Sequence, residues 1–481
     1  MIPGARTIPK VFVNGASIFS GEIIARLATA LMALVIAHFY GSIALGDYGY
    51  ALALASILIV VPDCGLHLFT VRELSAKRRH LPEIFWNIHW IKLGLTGAVV
   101  AFTLIFGEFG IADRSRRLVF YVLIGRVVLQ TFSQATMAIF KAFERMQYVA
   151  LQQFVNSSIV FVWVGSGVSL RASLPVVMTG LLAGQLAETC LGWMILWSKF
   201  GPGRLLKWDR NTLSAIAAEC LPIGFTAILL ALNLRIDILV LSIYVPASSL
   251  GQFQAAAWFT TSTFLSASLV MSVLFPKLSR LLIGHSAKGS AYVLSLLKNA
   301  LLVTAVGSLV VWLSAPTLLP LFFGKDFESA ANILRILAPA LPLVFLNTVL
   351  FYVFVAARRR FVCLGTLGFG VMAGTVLNLY LSSRYGVAGC AIADVARELM
   401  ISGVYLYFLI QGNHARIAGL ALVKVLMGAT ILLALGALLA APLHLGVLWL
   451  AVWMVFVVTG TLMALGFPQR RELHLLTDDH L

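Results

Sequence analysis

Apolar stretches of about 18–25 residues recur along the whole of this 481-residue chain, each long enough to cross a hydrocarbon core of roughly 30 Å. Lipid offers no water to backbone N–H and C=O groups, so a segment of this kind must satisfy them internally as a helix. A β-barrel would show shorter segments of alternating polarity. Charged residues make up only 11% of the chain and hydrophobic residues 60%, against about a quarter charged in a soluble domain. The expected fold class is therefore an all-α polytopic membrane protein.

Hydropathy predicts about fourteen spans: 12–39, 49–70, 86–106, 118–140, 148–169, 174–197, 216–243, 252–275, 296–316, 332–355, 361–382, 387–410, 419–441 and 444–466. The fifth and sixth are separated by the polar break Ser169–Ser173 and by Pro175. The formal net charge of +16 does not point to nucleic acid, because the cations sit in short clusters between apolar runs. Arg72–Arg79, Lys141–Arg145, Lys199–Arg210, Lys277–Lys298, Arg358–Arg360, Arg416 and Arg470–Arg471 all fall on one side of the predicted topology. The opposite loops hold only Arg114, Arg116, Arg117, Arg171, Lys325 and Arg384. The positive-inside rule then expects both termini in the cytoplasm, with Arg114–Arg117 as the one violation, set close to lipid head groups. The first apolar run follows Arg6 and Lys10 and ends without a small-residue cleavage site, so it reads as a retained helix and not a signal peptide.

The pass for catalytic chemistry is empty. There is no GxSxG, no GxxxxGK[ST], no HExxH and no paired carboxylates in a loop. No predicted loop exceeds about 20 residues, which leaves no place for a water-exposed catalytic centre. The five cysteines lie in or beside apolar runs without a CxxC pair, so neither a metal site nor a disulfide framework is indicated. Expected cofactors are none.

A weak repeat relates the halves at an offset of 204 residues: Tyr40 and Tyr244 end the first and seventh spans, and Leu74-Ser75 corresponds to Leu278-Ser279. Leu45-Gly46-Asp47-Tyr48 and Leu250-Gly251-Gln252-Phe253 each lead into an Ala-rich helix. A six-span repeat returns the chain to its starting side, so the halves share an orientation. The expected organisation is an N-lobe of helices 1–6 over residues 1–200, a C-lobe of helices 7–12 over 201–412, and helices 13 and 14 with a short tail over 413–481. Two such lobes facing one another would enclose a central cavity suited to alternating access.

Ionisable residues inside the membrane are costly and normally face a cavity or a partner. Glu22 and Arg26 are one turn apart and read either as a self-neutralising pair or as part of a ligand site. Arg126 sits deep in span four, with no acid at positions 122, 123, 129 or 130, and Gln130 and Gln134 continue its stripe. Gln152 and Asn156 repeat that spacing on span five. Lys92 has no acid within a turn on its own helix, which leaves pairing by a neighbouring helix open. Arg235 with Asp237, and Asp394 with Arg397 and Glu398, read more readily as structural pairs near helix ends. Asp63, Glu188 and Glu219 are placed nearer helix ends. In the first half Arg26, Lys92 and Arg126 then outnumber Glu22 as the one deep acid, an excess that suits an anionic group such as phosphate or pyrophosphate.

Several segments resemble the polysaccharide-transport family of the MOP superfamily, the Wzx-type repeat-unit flippases. They include Phe39-Tyr40-Gly41 with Leu45-Gly46-Asp47-Tyr48, Asp63-Cys64-Gly65 followed by Arg72-Glu73, and Arg235-Ile236-Asp237 leading to Leu250-Gly251-Gln252-Phe253. Phe323-Gly324 and Tyr385-Gly386 leading to Glu398 complete the pattern across the first twelve spans. The resemblance implies a MATE- and MurJ-like fold in the bacterial inner membrane that moves undecaprenyl-pyrophosphate-linked oligosaccharides outward for O-antigen, capsule or exopolysaccharide synthesis. It implies a cationic cavity, here Arg26, Lys92, Arg126, Gln130, Gln134, Gln152, Asn156 and Arg235. It also implies coupling to an H+ or Na+ gradient, with Glu22, Asp63, Asp237, Asp394 or Glu398 as carriers. Expected partners are the lipid-linked substrate, membrane lipid, a polysaccharide polymerase and a chain-length regulator. An ion-coupled multidrug exporter and a lipid II flippase of the same superfamily remain alternatives. A membrane glycan polymerase or ligase, which would need a large periplasmic loop, fits least.

Overall fold

A computed structural model describes residues 7–76, 81–111, 113–201, 210–283 and 287–411, with the side chains before Leu31 outside that description. Among the described residues the structure is helical, without strands. The contacts divide the chain into two units, Met1–Ser242 and Ile243–Leu481. The first holds α1 (Thr7–Leu58), α2 (Val60–Asp63), α3 (Leu66–Ala76), α4 (Leu81–Gly110), α5 (Arg114–Ala142), α6 (Met146–Ser169), α7 (Leu174–Lys199) and α8 (Arg210–Asn233). α9 (Ile236–Tyr244) crosses the division, and the second unit continues with α10 (Ala247–Ile283), α11 (Ala287–Phe323), α12 (Ala330–Leu337), α13 (Ala340–Ala356) and α14 (Arg360–Ile410). The division falls after Ser242, and α8 packs on α2, α3 and α4.

Nine helices are long and apolar enough to cross a membrane among the described residues, and α12 with α13, bent by 45°, makes a tenth span. Two long helices are each two spans joined by a single glycine. Gly41 (φ 77°, ψ −173°) interrupts α1 and Gly386 (φ 55°, ψ −130°) interrupts α14, in backbone regions that a Cβ disfavours. Counting those two divisions gives twelve passes, which coincide with the first twelve predicted spans. The separation of α6 from α7 falls at the predicted Ser169–Ser173 break. Predicted spans thirteen and fourteen lie outside the described residues.

Lipid is as apolar as a leucine side chain, so packing and internal hydrogen bonds hold such helices together. Hydroxyls within the spans donate back to the preceding turn: Thr70 to Leu66 O at 2.6 Å, Thr103 to Val99 O at 2.7 Å and Thr366 to Val362 O at 2.8 Å. One apolar core gathers Leu66, Phe85, Met137, Phe140, Leu196 and Cys220 in the first unit. Another gathers Met271, Leu297, Leu346, Leu350, Phe354 and Tyr405 in the second. Phe109 (90% exposed) and Phe361 (89%) stand on the outside, each near a helix end.

The sequence repeat corresponds to a structural one. Leu45 and Tyr48 are buried in the first unit as Leu250 and Phe253 are in the second. The polar residue between them ties its helix to a later turn of the same unit. Asp47 accepts from Arg116 Nε at 2.7 Å, at the start of α5. Gln252 donates to Asp326 O at 2.6 Å, in the turn before α12.

Two cations of the Arg114–Arg117 cluster, expected beside lipid head groups, also have acidic partners within the unit. Arg116 pairs with the buried Asp47 and stands 5.4 Å over the Tyr50 ring, and Arg117 meets Glu108 at 2.7 Å. These two side chains are neutralised by acids of the same unit. We expect Arg116→Met, which strands the Asp47 carboxylate, to cost about 3 kcal/mol or more of stability. Adding Asp47→Asn should recover most of it, measured as the midpoint of thermal unfolding of the purified protein in detergent.

Candidate functional site

The first unit contains a polar cavity of about 400 Å³ lined from α1, α2, α3, α5, α6 and α7. Helix α5 supplies Arg126, Gln130, Gln134, Met137 and Lys141, residues whose spacings of three and four put them on one face. Helix α6 supplies Gln153, Asn156 and Ser157, and α7 supplies Gln185 and Glu188. Asp63 and His67 face it from either side of the Cys64–Gly65 break between α2 and α3, and Tyr48 and Met32 complete it from α1.

Arg126 is the cation that defines the site. It lies in the middle of α5, no carboxylate pairs with it among the described residues, and its Nε is buried without a hydrogen-bond partner among them. A guanidinium that lines a cavity without a carboxylate partner is the kind of group that binds phosphate oxygens.

Glu188, expected near a helix end, sits instead in the middle of α7 and lines the cavity. The sequence does carry a signal for it: Gly180, Gly184, Glu188 and Gly192 recur at i+4 on one helix face. A methyl group at Gly184 would overlap Asn156, and one at Gly192 would overlap Gln152 and Thr136. That stripe brings α6 against α7, so that Asn156 Nδ2 and Ser133 Oγ both donate to the Glu188 carboxylate. His67, Lys141, Gln153, Ser157 and Gln185 are further lining residues beyond those expected from the sequence.

The other expected site residues divide. Gln130, Gln134 and Asn156 line the cavity beside Arg126. Lys92 does not. Its side chain is 1% exposed and its ammonium donates to Asp63 at 3.0 Å and to Thr131 O at 3.4 Å. Gln152 is packed behind the wall, its amide donating at 3.1 Å to both Thr136 Oγ1 and Glu188 O. Arg235 is half-buried near Asp237 and the lining residue Tyr48 but does not itself line the cavity. Of the expected ion carriers Asp63 faces the cavity, paired with Lys92. Asp237 is buried and accepts from Ile238 N at 2.8 Å. In the second unit Arg397 holds Asp394 at 3.2 Å and Glu398 at 3.1 Å, and Asn347 donates to Glu398 at 2.8 Å. The side chains of Glu22 and Arg26 lie outside the described residues. The expected cation excess is thus smaller: Asp63 and Glu188 are deep acids, and Arg126 keeps its charge uncompensated among the described residues.

The sequence model of the polysaccharide biosynthesis protein family matches residues 11–282, more than half of the chain and all of the cavity. The chain belongs to this family. Solved structures share its multi-pass membrane fold. The chain is similar to the lipid II flippase MurJ in an inward closed conformation at a TM-score of 0.71 and 13% identity, covering 94% of this chain and 98% of that one. It is similar to an inward-facing multidrug resistance MATE family transporter at 0.67 and 14%, covering 83% and 96%. A MOP superfamily transporter from Pyrococcus furiosus, with a binding pocket of reverse polarity, matches at 0.56 and 15%, covering 84% and 95%. No curated protein sequence matches.

The Lys92–Asp63 pair joins α4 to the end of α2 at the edge of this family member's cavity. Asp63→Leu leaves a buried ammonium without its counter-ion and should cost about 3–5 kcal/mol, whereas Asp63→Leu with Lys92→Met should approach wild-type stability. Thermal unfolding of the purified variants checks this. A single variant as stable as wild type would show that the ammonium is paired elsewhere.

Proposed function

We propose that this family member is a flippase that carries undecaprenyl-pyrophosphate-linked oligosaccharide repeat units outward across the bacterial inner membrane, feeding O-antigen, capsule or exopolysaccharide assembly. The observation that carries this reading is Arg126, a mid-membrane guanidinium with no carboxylate partner among the described residues, facing a cavity edged by amides. A pyrophosphate supplies the anion it lacks. Gln130, Gln134, Gln153 and Asn156 offer the paired donors and acceptors that sugar hydroxyls use. In this reading the protein works by alternating access driven by an H+ or Na+ gradient, is not itself an enzyme, and has both termini in the cytoplasm. It hands its cargo to a polysaccharide polymerase and a chain-length regulator.

A second reading rests on Glu188, a cavity carboxylate without an ion pair among the described residues. An acid in such a place would serve a cationic drug as readily as a coupling ion. One experiment separates the two. In a deletion strain complemented with Arg126→Ala, expressed at wild-type level, surface polysaccharide should be lost while lipid-linked intermediates accumulate. Losing this charge-assisted contact, worth about 1.5–3 kcal/mol, should weaken head-group binding roughly tenfold to a hundredfold. Unchanged surface glycan with altered sensitivity to cationic drugs would sink the flippase reading and favour the exporter.

A further inference from the structure

The face of α6 that lines the polar cavity does not stop there. Gln153, Asn156, Ser157, Val160, Phe161, Val164, Gly165 and Val168 follow one another at spacings of one and three residues, a single continuous helical stripe. Its first turns are amides and a hydroxyl; from Val160 onward it is apolar. The apolar part forms one wall of a second cavity, of about 330 Å³, and α1 forms the other with Leu31, Met32, Val35 and Phe39. Met32 and Val160 line both cavities, so the polar chamber and the apolar groove meet at these two side chains. Ser169, at the far end, donates its hydroxyl to Gly165 O at 2.8 Å and adds no free donor. Just beyond, Tyr40 donates to Ala172 O at 2.8 Å and ties α1 to the turn after α6. From Val160 to Val168 the groove follows about 12 Å of helix.

A polar chamber joined end to end with an apolar groove complements an amphiphile, and neither part alone does. Resting on the flippase reading above, we propose that the groove between α1 and α6 holds the first isoprenoid units of the substrate's lipid chain while the pyrophosphate and sugars occupy the chamber beside Arg126. The rest of the chain continues into the bilayer past Phe39 and Phe161, which are 61% and 70% exposed. On the cation bias, the Lys141 end of the chamber faces the cytoplasm and the groove runs outward from it. A lipid in this pose keeps the orientation it had in the cytoplasmic leaflet, so the groove serves loading. A side chain added at Gly165 meets open space in the groove and nothing of the protein, which makes Gly165→Leu a filling variant that leaves the fold intact.

The test reconstitutes the full-length protein in phospholipid nanodiscs doped with undecaprenyl pyrophosphate. A photoreactive phenylalanine analogue replaces Phe161 or, as control, the exposed Phe109. Cross-linked lipid is identified by mass spectrometry, and binding of water-soluble geranyl pyrophosphate is measured in parallel. The expected result is polyprenyl chain enriched several-fold at 161 over 109, with the enrichment lost in Gly165→Leu while geranyl pyrophosphate still binds through its pyrophosphate, more weakly because its two isoprenoid units lose the groove. The same lipid proportions at both positions, with geranyl pyrophosphate bound in an Arg126-dependent way, would overturn the groove and leave the proposed function standing. No binding of geranyl pyrophosphate to the wild-type protein would remove the function, and the groove assignment with it.

Discussion

An ammonium in the middle of a membrane helix is tolerated only when something nearby carries the opposite charge. Lys92 meets that condition across helices: from α4 it reaches Asp63 at the end of α2 and the Thr131 carbonyl on α5. Three helices are pinned by one side chain, and two of them, α2 and α5, also line the chamber. The pair decides the chamber's electrostatics too. Asp63 is engaged by Lys92, and among the described residues no ion pair joins it to Arg126. The break at Cys64–Gly65 contributes as well, since Cys64 takes a left-handed conformation and Gly65 a φ of 83° that turn Asp63 and His67 inward from opposite sides.

How legible this is in the sequence depends on the range of each interaction. Twelve spans are readable because hydrophobic length is a local property. The Tyr40-Gly41 and Tyr385-Gly386 turns likewise mark, in the sequence itself, the breaks inside the two longest helices. Arg126 with Gln130 and Gln134 is readable because a stripe at i+4 belongs to one helix. The partner of Lys92 is not, since Asp63 is 29 residues away on a broken helix and nothing in the spacing joins them. Gln152 shares the spacing and the helix face of Asn156 but is fully buried against Thr136 and the Glu188 carbonyl, a difference that only the approach of α7 decides. Glu188 is within reach: its place in a glycine stripe identifies the helix face pressed against a neighbour, and a carboxylate there has to be satisfied by that neighbour's donors.

The repeat explains why the loops between spans hold more structure than their lengths suggest. In both units the residue after Leu-Gly bonds to the chain at the start of the span two further on, by an ion pair in one and an amide-to-carbonyl hydrogen bond in the other. The geometry persists while the chemistry differs. The charged version sits in the unit that carries the chamber, where it neutralises Arg116 beside the Arg117–Glu108 pair.

The stripe on α6 shows how a helix can encode an amphiphile. A helix that only packed would bury an apolar face, and one that only lined an aqueous path would stay polar along its length. Here one face changes character between Ser157 and Val160 without any break in the helix, and α1 presents Met32, Val35 and Phe39 at the same level. α1 and α6 pack closely along this stretch, with Met32, Val160 and Val164 buried, and the groove is the apolar space their packing leaves open. What fits both halves of the stripe is a ligand whose own polarity changes along its length, with its boundary at Met32 and Val160.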